Sequence, residues 1–234
     1  MRLSRELTQQ LLQLAPAAFS TTIDDLLLSA LSRAVCRWTG RPDTLITLEG
    51  HGRESETCVP AAELDLSRTL GWFTSMYPVR LTRGDASLDE VILATRAQLR
   101  AVPNKGIGYG VLRYLSSDPD VQRALSRSAP RITFNYLGQF DQVLKAESAF
   151  GSAPEDRGLE HAPEGPLSNW LEILGDVSEG RLSMTWVFSR LAYRADTIER
   201  LKSFYEEELS AIIHHCVARA RRAQAAPVPP AVGL

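Results

Sequence analysis

Apolar residues recur at Leu3, Leu7, Leu11 and Leu14, a helical spacing that Pro16 should close. After Ala17-Ala-Phe-Ser, the run Thr21-Thr-Ile-Asp24 reads as a capping-box entrance to a second helix. Leu27, Leu31, Ala34, Val35 and Trp38 share one face of that helix, and Gly40 and Pro42 end it. Leu45 to Glu49 is short, apolar and β-branched at its centre, which predicts a strand that stops where Gly50 and Gly52 begin. A second strand is predicted from Trp72 to Leu81, with Pro78 at an edge or bulge because it cannot donate to a ladder. Ser87-Leu-Asp-Glu90 is another capping box, and its helix carries Leu88, Val91, Ile92, Thr95 and Leu99 as far as Pro103.

The stretch Asn104 to Gly110 places glycines at alternate positions, Gly106, Gly108 and Gly110, and reads as a loop running into a short helix at Val111. Arg131 to Leu137 alternates as a strand does, with Ile132, Phe134 and Tyr136 on one face and Thr133 and Asn135 on the other. Asn135 should therefore face away from Tyr136. Residues Asp141 to Pro166 are irregular and longer than an ordinary connection, which predicts a functional or mobile loop. Two strands, Asn169 to Val177 and Arg181 to Phe188, follow as a hairpin turning at Ser178-Glu-Gly180. Asp196-Thr-Ile-Glu199 opens a last helix with a core face of Ile198, Leu201, Tyr205, Leu209, Ile212, Ile213 and Cys216. The tail beyond Arg222 has linker composition. The sum is an α/β (α+β) layered fold, a mixed sheet covered by helices.

Composition narrows the function classes. The chain has 234 residues, enough for one large domain, and its 26 Lys+Arg against 28 Asp+Glu leave no basic surplus for nucleic acid or an anionic membrane. No apolar run has membrane-spanning length and the first residues lack a signal-peptide core, so the expected location is cytoplasmic. The three cysteines, Cys36, Cys58 and Cys216, are odd in number and far apart, as reduced thiols are, and no metal site is expected.

Three strings could carry chemistry. Leu48-Glu-Gly-His-Gly-Arg-Glu54 puts a carboxylate, Glu49, at a strand end among glycines that let backbone approach a ligand. Partial burial there could raise the carboxyl into general-base range, although a surface turn with Arg53 paired to Glu49 or Glu54 fits the spacing as well. Asn104-Lys-Gly-Ile-Gly-Tyr-Gly110 does not match a dinucleotide or phosphate-loop fingerprint, and Lys105 stands on the wrong side for a phosphate lysine. Phe134-Asn-Tyr-Leu-Gly-Gln139 offers side-chain amides that could orient a carbonyl or satisfy backbone. His214 and His215 read as helix residues, and there is no G-x-S-x-G or H-E-x-x-H.

Five strings taken in order resemble the later signature motifs of nonribosomal peptide synthetase epimerization domains: Pro16 to Leu28, Glu49-Gly-His-Gly-Arg-Glu54, Arg68 to Pro78, Pro103 to Gly110 and Phe134 to Phe140. The E-G-H-G-R-E string separates these domains from the related condensation domains. The resemblance implies a chloramphenicol-acetyltransferase-like lobe over residues 1–218, followed by a linker-like tail over 219–234. Such domains have two lobes, and the H-H-x-x-x-D motif of the N-terminal lobe is missing here, so the chain resembles the C-terminal lobe alone.

The activity implied is that of an amino-acid epimerase, an isomerase that inverts the α-carbon of an aminoacyl or peptidyl thioester on a carrier protein. The implied catalytic residues are Glu49 and Asn135; His51, Arg53, Glu54, Tyr136 and Tyr109 would surround the substrate. No directly bound cofactor or metal is implied; the phosphopantetheine belongs to the peptidyl carrier protein. The missing lobe is a second implied partner, and the apolar surface it leaves predicts self-association. Residues 141–166 would cross to that lobe. Two other readings stand beside the enzyme: a binding module without chemistry, and the matching lobe of a condensation domain, which forms peptide bonds.

Overall fold

A computed structural model describes residues 1–53, 66, 68–82, 87–127, 130–140, 155, 158 and 169–225. Glu54, Cys58, nearly all of the 141–166 loop and residues 226–234 lie outside the described residues. The first helix, α1 (Arg5–Gln9), widens into a π-helical turn over Gln10–Leu14 and tightens into a 3-10 turn over Ala15–Ala18. Pro16 therefore does not end the helical segment as expected. It occupies the first turn of the tight helix, where a missing N–H costs nothing.

Helix α2 (Ile23–Thr39) begins one residue later than the sequence suggests: Thr22 and Asp25 form the capping box, and Gly40 at φ +69° closes the helix in the left-handed region. Leu26, Leu27, Leu28, Ala30 and Leu31 are all buried, so α2 is apolar around most of its girth and runs through the centre of the protein. Strand β1 (Asp43–Gly50) pairs antiparallel with β2 (Ser75–Thr82). Trp72, where the sequence pattern starts this second strand, instead lies outside it and is exposed. Helix α3 (Leu88–Arg100) has the predicted box of Ser87 and Glu90, with both hydrogen bonds present.

A 3-10 turn at Pro103–Gly106 leads into α4 (Ile107–Leu115), so Gly108 and Gly110 lie inside a helix and not in the loop expected there. A short α5 (Pro119–Ser126), capped by Asp118, is an addition to the elements predicted from sequence. Then come β3 (Ile132–Gln139), β4 (Leu171–Ser178), β5 (Arg181–Phe188) and the long α6 (Ala195–Ala225). The β4–β5 hairpin turns on two residues, Glu179 and Gly180, both at positive φ. Every residue predicted for the core face of α6 is buried, and so are Val217 and Ala220. The helix thus runs through residues 219–225, past the boundary expected for the tail.

Among the described residues five strands form one mixed sheet in the order β2-β1-β3-β4-β5, with β1, β3 and β4 parallel and the outer pairs antiparallel. Pro78 sits on the edge strand β2, as its missing donor requires. Register settles which face each residue occupies. Ile46 pairs with Val79 and Ile132, and Leu48 with Tyr77 and Phe134, and this face packs into the core with α2 and α6. Leu45, Thr47 and Glu49 point the opposite way, as do Thr133, Asn135, Glu172 and Leu174.

Two further features tie the layers. Arg96 donates to the Phe19 carbonyl, Arg100 to that of Ser20 at 2.9 Å and Arg219 to that of Ala18 at 3.3 Å, so the turn before α2 is held from α3 and α6. The first residues lie along the outer edge of β5: Arg2 bridges Ser183, Leu3 N–H donates to Leu182 O and Met184 N–H to Met1 O, each at 2.9 Å. Among the described residues no single helix is long and apolar enough to cross a membrane.

Candidate active site

Glu49 is the penultimate residue of β1, and Asn135 lies in β3, each one residue beyond the Leu48–Phe134 pair. Parallel pairing therefore brings together two side chains 86 residues apart in sequence. Asn135 Nδ2 donates to Glu49 Oε2 at 2.7 Å, a charge-assisted bond when the carboxyl is ionised. The Glu49 carboxyl is half-buried and titrates above the ordinary range. Desolvation is the main cause, the negative charge of Glu172 on β4 adds to it, and the Asn135 hydrogen bond opposes both. Such a carboxyl is a better proton acceptor than a solvated one, and once protonated it is poised to give the proton back. The two implied catalytic residues thus meet across adjacent parallel strands, Glu49 at the carboxyl end of β1 and Asn135 midway along β3.

The other implied residues distribute around this pair. His51 is exposed, and its Nδ1 accepts the Arg53 backbone N–H at 3.0 Å across Gly52. Gly52 sits at φ +66°, and a Cβ there would fall 1.6 Å from the Phe73 carbonyl oxygen, so only glycine lets the loop pass this close to the approach of β2. Arg53 donates to the Leu66 carbonyl at 3.2 Å and stacks over the Phe73 ring at 4.4 Å. It thus fastens the loop after β1 to the segment before β2, and does not take Glu49 as its hydrogen-bond acceptor. Glu54 lies outside the described residues.

Tyr136 does not join Glu49. Strand alternation turns it to the helix side, where its ring lies against Gly175 and burial, with Asp24 and Asp176 nearby, pushes its phenol up to about 12. Tyr109 is also separate from the carboxyl: its hydroxyl donates to the Leu125 carbonyl at 3.3 Å and accepts from Arg113 at 3.2 Å, which ties α4 to α5.

Glu172 is a site residue that the sequence does not announce. Its strand shows a clean alternation of buried and half-buried positions, which puts Glu172 on the outward face, but only the β3–β4 pairing brings it near Glu49. A groove of about 930 Å³ also opens on this face, between α4 and strands β1 and β2. Thr47 and Met76 are among the residues that line it, and Met76 pairs with Glu49 across the strands. Among the described residues no group of three or more His, Cys, Asp or Glu side chains could hold a metal ion.

Comparison with known proteins places this arrangement. The chain is 42% identical over 215 residues to one of the linear gramicidin synthase proteins of Brevibacillus parabrevis, covering 92% of this chain and 4% of that protein. It is 38% identical over 228 residues to tyrocidine synthase 1 of the same organism, covering 94% of this chain and 20% of that protein. Among solved structures, the epimerization domain from the third module of tyrocidine synthetase B superposes with a TM-score of 0.81 at 38% identity, over 94% of this chain and 48% of that one. The chain thus spans about half the length of that domain. The first condensation domain of the CDA synthetase shares the fold, with a TM-score of 0.56 at 16% identity. The family model described as "Condensation domain" matches residues 1–227, and the chain belongs to the condensation-domain family.

Proposed function

We propose that the chain is the C-terminal half of a nonribosomal peptide synthetase epimerization domain and that Glu49 is one of its two acid/base groups. The observation that carries this reading is the Glu49–Asn135 pair: a carboxyl with a raised pKa, held at 2.7 Å by a side-chain amide on the sheet face opposite the core. The substrate is an L-aminoacyl or peptidyl thioester on the phosphopantetheine arm of a carrier protein. Removal of its α-proton leaves an enolate whose charge rests on the thioester oxygen. Inversion requires a proton to arrive on the face opposite the one it left, so Glu49 serves one face and a group from the N-terminal half serves the other. Asn135 keeps one amide hydrogen on Glu49 and has a second for the developing oxyanion.

The likeness to the tyrocidine synthetase epimerization domain and the E-G-H-G-R-E string support epimerization over condensation. The apolar side chains of α4 that face solvent, Val111, Leu112, Tyr114 and Leu115, support a partner surface for the other half. The test is solvent-deuterium exchange at the α-carbon of an aminoacyl-carrier thioester, with this chain alone and mixed with a separately expressed N-terminal half. Exchange is expected only in the mixture, and Glu49→Gln should lower it by about 10²- to 10⁴-fold. Peptide-bond formation with a second carrier in the absence of exchange would overturn the proposal.

A further inference from the structure

The outer face of the sheet carries a second carboxylate that the proton chemistry at Glu49 leaves unused. Glu172 lies in β4 opposite Thr133 and points away from the core, as Glu49 and Asn135 do. It is half-buried, and its carboxylate takes part in no hydrogen bond or ion pair with another described residue. The polar groups around it are engaged with one another. Asn169 donates to the Thr133 hydroxyl. Two arginines, Arg113 and Arg131, line the groove beside α4, where Arg131 lies over the Trp170 ring at 3.6 Å and Arg113 donates to the Tyr109 hydroxyl at 3.2 Å. Partial burial of a carboxylate without a cation costs free energy, and the nearby charge of Glu49 adds to that cost. A cation brought by the substrate would offset both.

Every aminoacyl thioester brings one such cation, the α-ammonium, attached to the carbon that is to be inverted. Strand geometry sets the span it must cross. Two strand spacings and two residues of rise separate Glu172 from Glu49, which puts their Cα atoms roughly 12 Å apart. Across that interval the charge of Glu172 is felt at Glu49. An α-carbon about 3.3 Å from the Glu49 carboxylate, with its nitrogen about 1.5 Å further on and a hydrogen bond of about 2.8 Å to Glu172, bridges up to roughly 7 Å. The two glutamate side chains cover the remainder. A peptidyl thioester has a neutral amide nitrogen at this position, which has no charge to set against Glu172.

Resting on the reading of the chain as half of an epimerization domain, we infer that Glu172 binds the substrate's α-ammonium and thereby selects aminoacyl over peptidyl thioesters. The carboxylate also keeps the amine protonated, and the positive charge beside the α-carbon stabilises the negative charge left when its proton departs.

The test is calorimetric titration of the chain, mixed with its separately expressed N-terminal half, with two unreactive probes. One is the amide analogue of alanyl-pantetheine, in which NH replaces the thioester sulfur; the other is the same compound acetylated on its α-nitrogen. At pH 6.5, below the roughly 7.7–8.0 of an α-amino group, the free-amine probe should bind at least about tenfold more tightly than the acetylated one. Glu172→Gln keeps the shape of the side chain and should reduce that preference to about twofold or less, with the affinity for the acetylated probe unchanged. Circular dichroism verifies the fold of the variant. Equal affinities of the parent for the two probes, the same preference in Glu172→Gln, or no binding of either probe would overturn the assignment. Because neither probe reacts, the outcome is separate from the exchange assay: an ammonium preference that depends on Glu172, without α-carbon exchange in any mixture, would remove the epimerization reading and leave the role of Glu172 standing.

Discussion

Gly106 fixes where α4 departs, and replacing it should be costly in a way that the neighbouring Gly108 is not. Gly106 sits at φ +81°, and a Cβ there would fall 2.1 Å from Cγ and Cδ1 of Tyr77. Cγ is the root of the ring, so the clash cannot be relieved by swinging the far end of the side chain. The left-handed conformation costs a non-glycine residue about 1–2 kcal/mol, and forcing a methyl group into packed space costs about 1–3 more. Gly106→Ala should therefore lose about 2–5 kcal/mol, or roughly 5–15 °C in melting temperature for a chain of this size. Gly108 lies inside α4, and nothing would come within 4 Å of its added Cβ. Gly108→Ala should gain about 0.5–1 kcal/mol from helix propensity and melt a few degrees higher. Thermal unfolding followed by far-ultraviolet circular dichroism reads both. If Gly106→Ala melts within about a degree of the parent, or both variants shift with the same sign and size, the assigned contact between the Pro103–Gly106 turn and β2 is wrong.

Three further outcomes follow from the site and the core. Asn135→Ala removes the hydrogen bond that lowers the Glu49 pKa, so the acidic limb of the pH–rate profile for α-carbon exchange should move to higher pH. Glu49 titrates higher folded than unfolded, so its ionised form opposes folding; Glu49→Gln should be more stable than the parent at pH 8, and the gap should shrink as pH falls through the raised pKa, as read from urea midpoints. Arg33 on α2 pairs with Glu208 on α6, whose side chain is only 12% exposed; Arg33→Ala leaves that carboxylate with Arg37 at 3.8 Å and should cost about 1–3 kcal/mol in urea unfolding.

How far the sequence foretells this structure depends on the range of the interaction. The bounds of β5, the Ser87–Glu90 box and the buried face of α6 are legible, because each is set by residues within one or two turns of each other. Alternation along β3 also places Asn135 and Tyr136 on opposite faces, and that local rule holds in the structure. Sheet order is not legible. Nothing near Glu49 in the chain says that β1 lies between β2 and β3, so Asn135 is paired with it only through the resemblance, and Glu172 escapes notice. The helix holding Gly108 and Gly110 reads as a loop because two glycines argue against a helix locally, while its packing on β2 is tertiary. The arginines of the groove stand in α4 and just before β3 and share no local pattern.

The pairing of residues 1–3 with β5 bears on aggregation as well as on packing. An open sheet has two edges, and a bare edge offers a row of unpaired N–H and C=O groups to any other strand. Here one edge is covered over Leu182–Met184 by residues 1–3, and the other, β2, carries a proline that breaks its row of donors. The contact joins residue 3 to residue 182, so during synthesis it closes only after the 179 residues that follow Leu3 have been made. Until then the nascent sheet has an adhesive flank, and variants that weaken this first contact should misassemble with their neighbours before they lose any of the finished structure.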